Sequence, residues 1–108
     1  MIVNIKATRI ELTPALKEYI EIKFLTLEKL IQRWELESVV EARVEVARLN
    51  QHHHKGDVFR CEVNLHLPVD TIRAEAEEWD IRVAIDQVRH KLQRELTDFN
   101  ERHKTIGK

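Results

Sequence analysis

A single cysteine, Cys61, occurs in the 108 residues, so no disulfide can form within the chain. Two glycines and two prolines are too few breakers of regular structure for a low-complexity or disordered chain. No apolar run approaches the roughly 18 residues that a bilayer-crossing helix needs. No stretch combines the charged start, apolar middle and small-residue cleavage site of a secretory signal. Together these absences predict a soluble, cytoplasmic protein. Basic excess is also missing: the formal net charge is -1, whereas a nucleic-acid binder ordinarily carries surplus Lys and Arg that release counterions from phosphates.

What is present is material for one folded domain, expected over 1–104 with 105–108 as a short tail. The chain is 43% hydrophobic and 34% charged, and a chain of this length can bury a modest core without metals or disulfides. Charge is unevenly spread. Residues 1–35 carry six Lys/Arg against five Asp/Glu, and 80–104 again six against five, while 36–79 carry five against nine. A basic patch must therefore come from the two ends of the chain.

Residues 2–7 are rich in β-branched side chains and predict a short strand. Thr13 followed by Pro14 is a helix start, the hydroxyl capping free N–H groups and the proline occupying a position whose missing donor costs nothing. Leu16, Ile20, Phe24, Leu27, Ile31 and Trp34 then recur every three or four residues, predicting one amphipathic helix of about five turns. From Val39 to Leu49 the period changes to two, with Val40, Ala42, Val44 and Val46 on one face. Asn50–Asp57 is polar and predicts a turn, with Gly56 free to take a positive φ. Phe59–Leu67 and Ile72–Glu77 alternate in the same way. Asp80 is placed to cap a last helix whose stripe runs Ile81, Ala84, Ile85, Val88, Leu92, Leu96 and Phe99. The expected fold is α+β, in the order β-α-β-β-β-α: a four-stranded, mainly antiparallel sheet with both helices on one face and the other face wet.

Two of these helical segments resemble a known family. Ile10-Glu11-Leu12-Thr13-Pro14-Ala15-Leu16 followed by Leu27-Glu28-Lys29-Leu30, and Asp80-Ile81-Arg82-Val83-Ala84-Ile85-Asp86 with Lys91-Leu92-Gln93-Arg94-Glu95-Leu96, resemble the two signatures of the ribosome hibernation-promoting factor and ribosome-associated inhibitor family. The resemblance covers nearly the whole chain and is to the short, single-domain form. It implies a domain similar to double-stranded RNA-binding domains that docks in the messenger and transfer RNA channel of the small ribosomal subunit. There it would block translation sterically and protect idle ribosomes. The implied partner is ribosomal RNA backbone with neighbouring ribosomal proteins; no cofactor, small-molecule substrate or membrane is implied. Arg82 departs from the family pattern, standing where many members carry a tyrosine.

By that resemblance, Lys29, Lys91 and Arg94 match basic positions that would contact RNA phosphates. Geometry adds three more. At about 100° per residue, Arg82 and Arg89 fall on one shoulder of the last helix's stripe, Lys91 on the other, and Arg94 towards solvent. Arg33 lies with Lys29 away from the core face of the first helix. The same charges also fit an ordinary solvated surface, with Glu28 and Glu95 neutralising their neighbours. A rival function is therefore a protein-interaction module of the same fold that has lost strong RNA binding.

Enzymatic chemistry finds no support in the motifs. There is no Gly-rich phosphate loop, no Ser-His-Asp order and no zinc spacing. Cys61 alternates with apolar neighbours, as a small core residue does. Asp80 reads as a helix cap and Asp86 lies beside the buried stripe. His52, His53 and His54 with His66 read first as a polar hairpin, the alternatives being a metal site or contacts to RNA. Trp34 and Trp79 lie at element ends, either completing the core or offering an indole to an RNA base.

Overall fold

The apolar stripes and alternations resolve into seven elements in a computed structural model, which describes residues 1–53 and 56–104, and side chains outside 50–55. They are β1 (Ile2–Thr8), α1 (Pro14–Leu25), α2 (Glu28–Glu35), β2 (Glu41–His53), β3 (Gly56–His66), β4 (Thr71–Glu78) and α3 (Ile81–Arg102). The sheet order is β1-β2-β3-β4. β1 pairs parallel to β2, from Ile2 opposite Glu41 to Thr8 opposite Ala47. The other two pairings are antiparallel. The α+β class, the four strands and the mainly antiparallel pairing are thus as expected.

The one long helix expected over Leu16–Trp34 is two. Thr13 accepts the Leu16 amide at 3.1 Å and Pro14 opens α1, as its sequence predicts. At Thr26 the ladder tightens: its hydroxyl donates to the Lys23 carbonyl at 2.6 Å, and the amides of Thr26 and Leu27 reach back three residues rather than four. A Thr side chain that bonds the preceding turn competes with helix continuation. The apolar stripe survives because the tighter turn changes its spacing from four to three at the same point. Leu16, Ile20, Phe24, Leu27, Ile31 and Trp34 all remain buried, so hydrophobic spacing carries no trace of the break.

The helices cover one face of the sheet. Val44 and Val46 of β2, Cys61, Val63 and Leu65 of β3, and Ile72 of β4 meet the stripes of all three helices in one core. Ala74 and Ala76, small side chains on β4, lie in that core beneath the long α3, whose Ala84 is also fully buried. Asp80 caps α3 through the Arg82 amide at 2.8 Å. Burial pushes the Cys61 thiol up to about 12. A thiol that stays protonated and enclosed is a poor nucleophile, so Cys61 in native protein is expected to resist a thiol-specific reagent at neutral pH and to react at once in denaturant; equal rates in both states would contradict its place in the core.

The expected turn over Asn50–Asp57 is shorter than its composition implies. The β2–β3 ladder continues past a register shift between Arg48 and His52 to a last pair, His53 opposite Gly56. Gly56 has φ +111°, a conformation that residues with a Cβ rarely adopt. β1 ends opposite Ala47 and β4 ends opposite Phe59, so this hairpin extends beyond both outer strands. His54 and Lys55, and the side chains of His52 and His53, lie outside the described residues, and with them the metal and RNA alternatives for these histidines. Among the described residues no group of His, Cys, Asp and Glu is arranged to hold a metal ion. No described helix is long and apolar enough to cross a membrane.

Candidate nucleic-acid interface

The two faces of the molecule hold their charge differently. On the open face of the sheet, cross-strand neighbours bring Arg60 and Arg73 against Glu62 and Glu75. Arg60 lies 3.2 Å from Glu62 and 2.8 Å from Glu75; Arg73 pairs with Glu62 and lies 3.5 Å from Glu75. Arg43 pairs with Glu41 at 3.3 Å. The Arg60 guanidinium, by hydrogen bond and charge, holds the Glu75 carboxyl below the usual carboxylate range. Each of these guanidiniums already has a carboxylate against it, although the buried Arg60 Nε has no hydrogen-bond partner among the described residues, and an arriving phosphate would have to displace a carboxylate from each.

The helical face is arranged otherwise. α1 and α2 run alongside α3 in the same direction, since their contacts advance together: Tyr19 meets Asp86, Thr26 meets Arg89, and Trp34 meets Asn100. Arg82 and Arg89 line this seam from α3, the shoulder that the helical period assigns them. The Arg82 guanidinium lies over the Tyr19 ring, 4.8 Å from its centre. Arg89 reaches Gln93 at 2.9 Å and Thr26 at 3.5 Å, both neutral partners.

On the opposite shoulder Lys91 donates to the backbone carbonyl of Glu75 at 2.6 Å, against the free edge of β4. Arg94 is exposed between the shoulders, near Arg73 and Asp98. Lys29 is exposed on α2. Arg33 is tied down: it donates to the carbonyls of His103 at 2.6 Å and Asn100 at 3.4 Å, and lies 4.4 Å over the Trp34 ring. Cations at a helix C-terminus complement its partial negative charge, so Arg33 helps to end α3. The six basic residues therefore lie around the helical layer in three groups: the seam, the β4 side of α3, and α2.

The glutamates of α2 that could have neutralised its cations turn elsewhere, whereas Glu95 and Asp98 line one groove with Lys91 and Arg94. Glu28 and Glu35 of α2 face the amino group of Met1 at the start of β1, away from α3. Among the described residues no ion pair joins Lys29 to Glu28, or Lys91 or Arg94 to Glu95. The helical pairing that would have made these charges a self-neutralised surface does not form.

Three residues of the seam were not legible as site residues in the sequence. Lys23 lies 3.2 Å from Asp86 and 5.2 Å from the centre of the Tyr19 ring. The Tyr19 hydroxyl donates to the same Asp86 oxygen at 2.8 Å. Partial burial, then that hydrogen bond, push the Tyr19 phenol up, which keeps the donor in place. Spacing alone could show only that Tyr19 and Lys23 share a helical face; which helix lay opposite needed the packing.

The two tryptophans part company. Trp34 is buried, its Nε1 donating to Asn100 at 2.7 Å and its ring 5.2 Å from that of Phe99. It completes the core and has no free face for a base. Trp79, between β4 and α3, is 71% exposed.

Comparison with known proteins agrees with this architecture. Residues 3–104 match the family described as Sigma 54 modulation protein / S30EA ribosomal protein. A ribosome hibernation promoting factor of Klebsiella oxytoca is 31% identical over 104 residues, covering 96% of this chain and 98% of that protein. Among solved structures, the N-terminal domain of Thermus thermophilus Protein Y superposes with a TM-score of 0.72 at 25% identity, over 92% of this chain and 99% of that domain. A ribosomal subunit interface protein of Coxiella burnetii shares the fold, with a TM-score of 0.66 at 22% identity over 94% of this chain and 99% of its own. With its helical signatures, its sheet order and a match running almost from end to end, the chain belongs to the Sigma 54 modulation protein / S30EA ribosomal protein family.

Proposed function

We propose that this protein is a ribosome hibernation factor that binds the small ribosomal subunit in the messenger and transfer RNA channel, blocks translation by occupancy, and protects idle ribosomes. Its partners are ribosomal RNA backbone and adjacent ribosomal proteins, its compartment the cytoplasm, and its role non-enzymatic. Kinship with hibernation promoting factors supports ribosome association. The observation that carries the reading further is the contrast between the faces. Guanidiniums on the sheet are matched by carboxylates, while Lys29, Arg82, Arg89 and Arg94 on the helical layer face no carboxylate partner among the described residues.

Net charge is a poor guide to such a surface, because affinity for phosphate depends on where the cations stand. Lys29 and Lys91 supply point charges, and the arginines supply planar forks able to engage a phosphate with two hydrogen bonds. Contacts of this kind position the protein on folded RNA with little reading of bases, consistent with a mechanism that needs only occupancy. Without its six cations the helical layer would resemble the interaction-module rival.

The test is co-sedimentation of purified protein with small ribosomal subunits at two salt concentrations, with messenger and initiator transfer RNA as competitors. Binding that weakens steeply with salt and is displaced by the competitors is expected. Binding that is absent at low salt, or indifferent to both competitors, would overturn the channel reading.

A further inference from the structure

Tyr19 has an unusual set of neighbours for a tyrosine at a helix seam. One carboxylate, Asp86, fixes its hydroxyl, while its ring lies close to two cations from different helices, Lys23 of α1 and Arg82 of α3. The Lys23 ammonium is shared between the ring and Asp86. The Arg82 guanidinium has no carboxylate among the described residues and is held by the ring alone. The seam from Tyr19 to Arg89 thus brings three cations to one carboxylate.

We propose that Tyr19 is a positioning residue for phosphate binding, its ring face holding the Arg82 and Lys23 side chains in place to receive an RNA phosphate at the α1–α3 seam. The proposal rests on the reading of the helical face as the ribosome-binding surface and assigns that surface a specific subsite. An aromatic face attracts a cation without consuming its N–H donors in hydrogen bonds, so the planar fork of Arg82 stays available. Long side chains lose rotamer freedom on binding, and a ring that has already restricted them lowers that cost. With Asp86 as the carboxylate against Lys23, Arg82 and Arg89, the seam keeps a net positive charge.

The roles of ring, hydroxyl and bulk are separable. Tyr19→Phe keeps the aromatic face and loses the bond to Asp86; Tyr19→Leu keeps an apolar side chain and loses the face. Each is to be titrated against purified small ribosomal subunits over a range of salt concentrations, in the natural chain and in a K23Q/R82Q background, with thermal midpoints measured alongside.

Tyr19→Leu is expected to weaken binding about tenfold and to lower the steepness of the salt dependence by about one to two, since each phosphate contact contributes roughly 0.7–0.9 to that slope. Tyr19→Phe should stay within about twofold of the natural chain with an unchanged slope, because the ring face is what holds the cations. In the K23Q/R82Q background Tyr19→Leu should add nothing. An unchanged slope in Tyr19→Leu, or an equal loss in both backgrounds, would show a packing role only and overturn the proposal while leaving ribosome binding intact. Absence of salt-dependent binding by the natural chain would remove the functional reading on which the proposal stands.

Discussion

Reversing Lys29, Lys91 and Arg94 to glutamate together is expected to abolish co-sedimentation with small ribosomal subunits while leaving the helical circular-dichroism signal unchanged. A hydrogen bond to a charged group contributes about 1.5–3 kcal/mol. Losing three such phosphate contacts removes at least about 4.5 kcal/mol, or three orders of magnitude in affinity. The introduced carboxylates then add repulsion from the RNA. The fold should tolerate the changes, because all three side chains are exposed and surface substitutions usually move stability by about 0.5 kcal/mol or less. The only intramolecular bond lost among the described residues is that of Lys91 to the Glu75 carbonyl. Undiminished sedimentation of a well-folded triple variant would favour the protein-interaction module instead.

Phe99→Ala should be the most destabilising single change at the end of α3, costing about 3–5 kcal/mol. Phe99 is 2% exposed and is among the largest enclosed side chains. Its ring lies 5.2 Å from that of Trp34 and 4.1 Å from that of His103, so one truncation loosens the joint where α2 meets α3. Small domains are stable by only about 5–15 kcal/mol in total, so the loss is a large fraction of what holds the protein folded. Urea unfolding followed by circular dichroism, with the buried Trp34 as a local fluorescent probe, would measure it. A cost below about 1 kcal/mol would mean that the α2–α3 joint is not part of the cooperative core.

The two results are independent because the molecule separates its tasks by layer. Apolar spacing builds the core between sheet and helices, and the outward side chains are then free to differ on the two faces. On the sheet they answer one another across strands. On the helical layer Lys23 meets Asp86, but Lys29, Arg82, Arg89 and Arg94 meet no carboxylate in an ion pair among the described residues, a contrast that a net charge of -1 does not show.

Much of the architecture was legible in the linear sequence, for a local reason. A strand alternates every two residues and a helix every three or four, so the inward residues of β2, β3 and β4 and the buried stripe of α3 could be read from spacing alone. The caps at Thr13 and Asp80 were equally plain, because capping is a contact between residues two or three apart. The shoulders assigned to Arg82, Arg89 and Lys91 followed from the helical period. The break at Thr26 was hidden because the tightened turn kept the stripe in phase. The reach of the hairpin to His53 was hidden because pairing across strands can carry polar residues that composition assigns to a turn.

What the sequence by itself determined, then, was which residues face inward and where α1 and α3 begin, since both depend on neighbours a few positions away. Only the tertiary structure decided which charges find partners. Arg60 meets Glu75 across 15 residues, Lys23 meets Asp86 across 63, and Arg33 reaches His103 across 70. Such meetings are set by how strands register and helices dock. Coulomb attraction and hydrogen bonding act through space over a few ångströms, so the order of residues along the chain could not reveal them.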